Sequence, residues 1–270
     1  MTRPYAEVIG DPIAHSKSPL IHRFWLDALG IEAQYVATHV VPDELAGHVA
    51  RIAADPGWRG SNVTVPHKVA MLDHIANADE VRGTIGAVNT LLPGPDGRPI
   101  GTNTDAGGFY APLADAELDG AHAVVIGAGG AARAVLFALA QIGIGRVTIL
   151  NRKVLKGAGL LATFGLKGDA VPLGEPLQPA DLIVNASVLG MAGQPPLELD
   201  LSPLPDHAIV YDLVYAPLET PLLATAQASE LATVDGLEML IGQAALAFEL
   251  FFGAAPPRGR DDELRARLTA

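Results

Sequence analysis

Apolar and polar positions along the chain alternate between two periods. Short runs rich in β-branched residues, Tyr5 to Gly10, Gln34 to Val41, Ser61 to Val65 and Ala87 to Leu92, read as strands. Between them lie stretches at helical spacing. Ser18-Pro19 reads as an N-cap followed by proline at the first helical position, opening a helix with Leu20, Ile21, Phe24, Trp25 and Ala28 on one side. A second helix opens at Pro42-Asp43-Glu44, acids in its first turn, and carries Leu45, Val49 and Ile52 as its stripe. After the turn-rich Leu92-Pro-Gly-Pro-Asp-Gly-Arg-Pro segment a new series begins, with strands at Ala123 to Ile126, Arg146 to Leu150, Leu182 to Asn185 and Ile209 to Leu213. A helix from about Gly130 to Ile142 follows the first of these, and a last long helix runs from Leu237 to Phe252. Strands alternating with helices predict an α/β fold with largely parallel sheets, and 270 residues suit one large or two modest domains.

Composition narrows the chemistry. Eighteen basic against 30 acidic residues give a net charge of −12, and no basic tract could neutralise a run of phosphates, so nucleic acid and acidic membranes are not expected partners. The absence of cysteine removes disulfides, thiolate metal sites and a catalytic thiol. The eight histidines show no metal-ligand spacing, so no metal is expected, and His15 and His67 read as local hydrogen-bonders. The first residues hold no apolar run before a small-residue cleavage site, and no stretch is long and uninterrupted enough to span a bilayer. A cytoplasmic protein is the expectation.

One motif carries chemistry by itself. Ala123-Val-Val-Ile-Gly127-Ala128-Gly129-Gly130-Ala131-Ala132 is an apolar strand running through glycines into a helix. Such a turn lets backbone approach a pyrophosphate, whose charge the helix N-terminus stabilises, and Gly127-x-Gly129-x-x-Ala132 fits the dinucleotide fingerprint. The bland alternative is a bare tight turn. NAD sites commonly carry an acid about 20 residues on, at the end of the second strand. Here that strand ends in Asn151, Arg152 and Lys153, with Lys156 a turn beyond, so cations stand where a 2′-phosphate would lie and NADP is favoured. A solvated basic loop is the competing reading.

Three further segments are unusually polar: Gly10-Asp-Pro-Ile-Ala-His15-Ser16-Lys17-Ser18-Pro19, Asn62-Val-Thr64-Val-Pro-His67-Lys68, and Gly86-Ala-Val-Asn89-Thr90 followed by Asn103-Thr104-Asp105. With Asn185-Ala-Ser187, Tyr211-Asp-Leu-Val-Tyr215-x-Pro217-x-x-Thr220-Pro221 and Asp235-Gly236-x-x-Met239-Leu-x-x-Gln243-Ala, they resemble, in order and across the chain, the motifs of shikimate dehydrogenases. The resemblance implies NADP-linked interconversion of 3-dehydroshikimate and shikimate, a step toward aromatic amino acids. It implies a substrate domain over residues 1–104, a Rossmann-type NADP domain over 105–236 and C-terminal helices over 237–270 that return to the substrate domain, with the active site in a cleft that closes by a hinge. By position, Lys68 and Asp105 match the family's catalytic pair. Taken alone, either would read as a surface ion-pair member.

Hydride arriving at a ketone carbon builds negative charge on its oxygen, which a nearby lysine can stabilise and protonate. The resemblance places Ser16 and Ser18 at the substrate's carboxylate, Thr64, Asn89 and Gln243 at its hydroxyls, and Tyr215 toward the carboxylate end. Asn62 is a further neutral donor and acceptor in the same motif. Gly236, Met239 and Leu213 fall at the nicotinamide, although a lone helical Met more often packs a core. Lys153, Lys156, Leu213, Ala106 and Val188-Leu189 depart from the residues common in the family, mostly at cofactor contacts. Two alternatives stay open: a quinate/shikimate dehydrogenase that accepts NAD, and a non-catalytic sensor that binds dinucleotide and a small acid. The chain is expected to act as a monomer or homodimer on a small-molecule substrate.

Overall fold

The structure, a computed structural model, describes residues 3–270; Met1 and Thr2, the start of the stretch read for a leader, lie outside the described residues. The chain divides into two compact units, Met1–Thr104 with Ile241–Ala270 and Asp105–Leu240. Among the described residues no helix is long and apolar enough to cross a membrane.

In the first unit, strands β1 (Tyr5–Gly10), β2 (Gln34–His39), β3 (Trp58–Val63), β4 (Thr90–Leu92) and β5 (Ile100–Thr102) form a sheet in the order β2-β1-β3-β4-β5. β1 pairs in parallel with β2 and β3, while β4 and then β5 extend the sheet antiparallel beyond β3. Helices α1 (Ser18–Leu29), α2 (Leu45–Ala53) and α3 (Ala78–Gly83) belong to the same unit. β3 begins at Trp58, earlier than the expected Ser61, because Trp58 packs in the core and Gly60 leaves room for the Phe251 ring, which a Cβ there would meet at 2.2 Å. The expected strand at Ala87 is shortened to Thr90, since Val88 N–H turns aside to the Lys68 carbonyl at 2.7 Å.

Alternation along β1 sends residues to two faces. Glu7 and Ile9 join Ser61, Val63, Trp58 and the α2 residues Leu45, Val49 and Ile52; Ala6 and Val8 share the other face with Tyr35 and Asn62 through the parallel register. Glu7 is buried, and burial opposes its charge. Hydrogen bonds from His48, Thr38 and Ser61 outweigh that cost and hold its carboxyl below the ordinary value. Arg51 donates to His48 Nδ1 at 2.6 Å, which leaves the ring proton on Nε2, 2.8 Å from Glu7.

In the second unit, helix α4 (Asp105–Tyr110) leads to a parallel sheet built from β6 (His122–Ile126), β7 (Arg146–Leu150), β8 (Gly168–Val171), β9 (Leu182–Asn185), β10 (Ile209–Asp212) and β11 (Ala232–Val234). Its order is β11-β10-β9-β6-β7-β8, with α5 (Gly130–Ile142), α6 (Val154–Phe164) and α7 (Pro221–Ala228) in the connections. The order reverses between β6 and β9, the switch point at which doubly wound sheets open a crevice at their carboxyl ends. The unit's core gathers Val124, Ile126, Leu150, Ile183, Val210 and Leu222. Helix α8 (Gly236–Phe252) passes from the second unit into the first, and α9 (Asp261–Thr269) ends the chain.

Replacing His48 by Leu would leave the Glu7 carboxylate buried without its principal donor. We expect urea unfolding to show a loss of about 3 kcal/mol, the scale of a broken buried pair; a change under about 0.5 kcal/mol would remove this network from the account of stability.

Candidate active site

The segments that follow β1 and β3 are locked together. Asp11 N–H donates to the Val65 carbonyl at 3.0 Å and Thr64 N–H to Ile9 at 3.0 Å, while a Cβ on Gly10 would meet Thr64 Cγ2 at 2.5 Å. His67, 1 % exposed, bonds the Val40 carbonyl at 2.6 Å and so pins the turn that carries Lys68. Lys68 is half-buried, and its carbonyl holds Val88, the neighbour of Asn89. Ser16 accepts from Ser18 N–H at 3.3 Å. Ser18 is not the N-cap that its sequence position suggested. The helix begins at Ser18 itself, with Lys17 in the cap position at helical φ −83° and ψ −10°, and the Ser18 hydroxyl bonds the Tyr35 phenol instead.

From Tyr35 a continuous buried path of hydrogen bonds leads onward. Tyr35 donates to Asn62 Oδ1 at 2.6 Å, Asn62 Nδ2 to Thr90 Oγ1 at 3.3 Å, and Thr90 to Asn89 Oδ1 at 2.9 Å. Thr104 N–H also donates to Asn89 Oδ1, at 2.7 Å. Asn89 Nδ2 in turn donates to Thr104 Oγ1 at 2.9 Å and Gln243 Oε1 at 3.4 Å. Ser18, Asn89 and Gln243, all proposed from sequence, are thus joined through Tyr35, Asn62, Thr90 and Thr104. Burial first, then the Glu7 charge, push the Tyr35 phenol well above its ordinary range, so it keeps its proton and serves as a donor. The ring lies flat against His22, 3.9 Å between centroids and 1° between planes. His22 is fully buried among Trp25, Phe248 and Phe251, neither ring nitrogen has a hydrogen-bond partner among the described residues, and desolvation pulls its pKa down to about 3.

Asp105 follows Thr104 directly and opens α4 in the second unit; it is 4 % exposed. Phe109, one turn on, stacks on Tyr211 of β10 at 5.1 Å and 12°, anchoring α4 to its own sheet. At the crevice, Gly127 adopts φ +106°, and a Cβ there would meet the Ala186 carbonyl at 2.9 Å and the Ser187 side chain at 3.2 Å. That position takes glycine for both reasons. Around a Cβ on Gly129 there is open space, and the α5 N-terminus has no side-chain cap, so the Ala128-Gly129-Gly130-Ala131 backbone can address an anion. Asn185 donates to Asp212 at 2.8 Å, and Thr220 and Val214 N–H complete that buried carboxylate, whose pKa burial nevertheless raises.

Asn151 folds back onto the Lys153 carbonyl at 2.8 Å, and Arg152, Lys153 and Lys156 are exposed around the first turn of α6. Three cations at the positive end of a helix repel one another and that end, a strain which a bound anion relieves. Gly236 lies against β10's exit: a Cβ would meet the Leu213 and Val214 carbonyls at 2.6 Å, which brings Leu213 and Gly236 together, with Met239 buried a turn along α8. Tyr215 is half-buried, and desolvation raises its phenol. Among the described residues no group of three or more His, Cys, Asp or Glu is placed to hold a metal ion.

Comparison with known proteins decides what this arrangement belongs to. Residues 8–91 match the family model for the shikimate dehydrogenase substrate binding domain, and residues 236–260 that for the shikimate 5'-dehydrogenase C-terminal domain. A relative from Sphingopyxis alaskensis named shikimate dehydrogenase (NADP(+)) is 68 % identical over 99 % of this chain and 97 % of its own. The chain belongs to the shikimate dehydrogenase family. The shikimate 5-dehydrogenase of Thermus thermophilus, solved with NADP(H) and shikimate, is 39 % identical, with a TM-score of 0.84 over 98 % of this chain and 99 % of that one. A quinate dehydrogenase from Corynebacterium glutamicum, solved with NAD, is similar at 29 % identity and TM-score 0.82, covering 98 % of this chain and 99 % of that one. In keeping with the family, the fold is α/β in two domains, one of them Rossmann-type. Sequence reasoning missed Tyr35, Thr90 and His22 as parts of the site's support; only their buried positions beside motif residues could have signalled them.

His22 stays neutral in the folded state but protonates near 6.5 when unfolded, so the stability it contributes is complete above pH 6.5 and declines as pH falls toward 3. At about 1.4 kcal/mol per pH unit, roughly 2 kcal/mol is lost between pH 6.5 and 5. In His22→Phe, which keeps an aromatic ring on Tyr35, urea titrations at pH 7 and 5 should differ by about 2 kcal/mol less than in the parent. An unchanged difference would show that His22 finds a partner.

Proposed function

We propose that the chain is an NADP-dependent shikimate dehydrogenase, reversibly reducing 3-dehydroshikimate to shikimate in the shikimate pathway. The observation that carries this reading is the meeting of Asn89 and Gln243, 154 positions apart, in one buried network beside the Lys68 turn, in a chain 68 % identical to a relative named shikimate dehydrogenase (NADP(+)). The first unit is the substrate domain and the second the cofactor domain.

Lys68 carries the proton step. Its ammonium stabilises the charge that grows on the ketone oxygen and delivers a proton to it; in the reverse direction the amine takes the hydroxyl proton. Asp105 orients that lysine and accepts a hydrogen bond from a substrate hydroxyl. Ser16 and Ser18 hold the carboxylate with Tyr215 at the same end, and Thr64, Asn89 and Gln243 address the ring hydroxyls. A site built from hydroxyl partners rejects analogues that lack them.

The second unit's residues fit NADP. The Gly127 to Ala131 turn enters α5 with open space beside Gly129 and no side-chain cap, and the end of β7 offers Arg152, Lys153 and Lys156 and no acid. Asn151 holds that loop in shape, and Leu213, Gly236 and Met239 are assigned to the nicotinamide. When bound, the dinucleotide supplies the hydride. A quinate dehydrogenase working with NAD is the second reading; the cations after β7 favour NADP over it. The enzyme is cytoplasmic, a monomer or homodimer.

Absorbance of the reduced nicotinamide, followed with shikimate or quinate and NADP or NAD in all four combinations, tests the assignment. Shikimate with NADP should give the highest kcat/KM; quinate with NAD giving the highest would overturn it. Lys68→Ala is expected to lower kcat roughly 1,000-fold with NADP binding within about twofold of the parent, and comparable turnover would remove Lys68 from the proton step. For Arg152→Ala, calorimetry should show NADPH binding weakened about tenfold and NADH binding nearly unchanged. Equal losses would place the 2′-phosphate elsewhere.

A further inference from the structure

The buried path from Tyr35 runs in one direction, and that direction has a consequence for the substrate. An amide has a donor end and an acceptor end, and which end faces a ligand is set by what holds the other. Asn62 Nδ2 lies 3.4 Å from the Asn89 carbonyl oxygen, an acceptor only, and 3.3 Å from Thr90 Oγ1, so its Oδ1 must be the atom that receives the Tyr35 proton at 2.6 Å. Receiving from Asn62, Thr90 spends its own proton on Asn89 Oδ1. Thr104 N–H, which can only donate, adds a second bond there at 2.7 Å. Reversing the Asn89 amide would set its oxygen against Gln243 Oε1 at 3.4 Å, two acceptors face to face.

We propose that Tyr35 is a positioning residue that, through Asn62 and Thr90, fixes the Asn89 amide, whose Nδ2 holds Gln243 Oε1, so that Gln243 meets the substrate's ring oxygens with its Nε2 end as an N–H donor. Four features support it. Tyr35 sits on β2 with 2 % exposure, and its hydroxyl joins Ser18 to the path that begins at Asn62. Its ring is held by the parallel stack on His22, so the hydroxyl's position is set independently of the network that it feeds. Every link, Tyr35, Asn62, Thr90, Asn89, Thr104 and Gln243, is buried, where a wrongly turned amide is most costly. The path joins residues of β2, β3, β4 and α8, which no single local element could align.

The inference rests on the proposed shikimate site, so the test includes Asn89 itself. Steady-state kinetics with shikimate and NADP would compare the parent, Tyr35→Phe, Asn89→Ala and the double variant; Tyr35→Phe keeps the ring on His22 and removes only the hydroxyl. We expect Tyr35→Phe to lower kcat/KM for shikimate about tenfold with NADP affinity unchanged, and the double variant to be no worse than Asn89→Ala alone. Losses that multiply, or parental kinetics in Tyr35→Phe while Asn89→Ala is impaired, would overturn the role of Tyr35 and leave the site assignment standing. Parental kinetics in Asn89→Ala would overturn both. Thr90→Val cuts the path at a later link and should match Tyr35→Phe, while Thr90→Ser, which keeps the hydroxyl, should restore the parental value. A Thr90→Ser variant as impaired as Thr90→Val would also count against the proposal.

Discussion

The constraint on which the first unit depends is the saturation of one oxygen. Asn89 Oδ1 takes bonds from the Thr104 amide at 2.7 Å and the Thr90 hydroxyl at 2.9 Å, and that double occupation fixes which way the side chain faces. It also holds three pieces of chain together: the Val88-Asn89 turn, tied to the Lys68 carbonyl, the strand that carries Thr90, and the Asn103-Thr104 exit that leads straight into Asp105. A buried amide with one satisfied end is a rigid reference point, because turning it would strand several polar groups at once. Asn89 and Gln243 are therefore positioned by hydrogen bonds whose partners are themselves buried, not by surface loops.

The sheet explains how two dense polar networks coexist in one small unit. Glu7, Thr38 and Ser61 point to the α2 side of β1, β2 and β3, and Tyr35 and Asn62 to the opposite side, as the two-residue period of a strand requires. One face meets the stability demand of a buried carboxylate with a histidine whose tautomer Arg51 dictates. The other presents neutral amides and hydroxyls. Moving the charge to the substrate face would place a carboxylate near the position assigned to an anionic substrate, so the separation has a chemical reason as well as a geometric one.

Much of this was legible in the sequence, and the failures have physical causes. β1, β7, β9 and α5 fall where alternation and the glycine turn put them, because each is buried and strongly patterned. The edge strand β8 was invisible, since Gly168-Asp-Ala-Val is largely exposed and has no apolar face to read. Ser18 looked like a cap because Ser-Pro commonly is one, but Lys17 already has helical dihedrals, and the Ser18 hydroxyl has a better use inside. Motif residues such as Asn89 and Gln243 were found by resemblance. Tyr35 carries no local signal: a tyrosine in a strand reads as core, and only the three-dimensional path shows that its hydroxyl has work to do.

Specificity in such a fold is settled by few atoms. The quinate dehydrogenase solved with NAD shares this architecture at a TM-score of 0.82 while only 29 % of residues agree, so the backbone alone does not choose between acids or between dinucleotides. What chooses must lie where side chains of one sign or polarity face the ligand. On the proposed reading, that place in the second unit is the first turn of α6, where Arg152, Lys153 and Lys156 add charge to a helix end that is already positive. The mutual repulsion of these cations is relieved by an anion such as a ribose 2′-phosphate, whereas a neutral ribose hydroxyl brings no charge to it. On the same reading, the corresponding place in the first unit is the Gln243 amide, whose polarity is set from behind through Asn89 by buried hydroxyls. Both devices put the discriminating strain next to the ligand and leave the sheets to supply the rigidity that gives it effect.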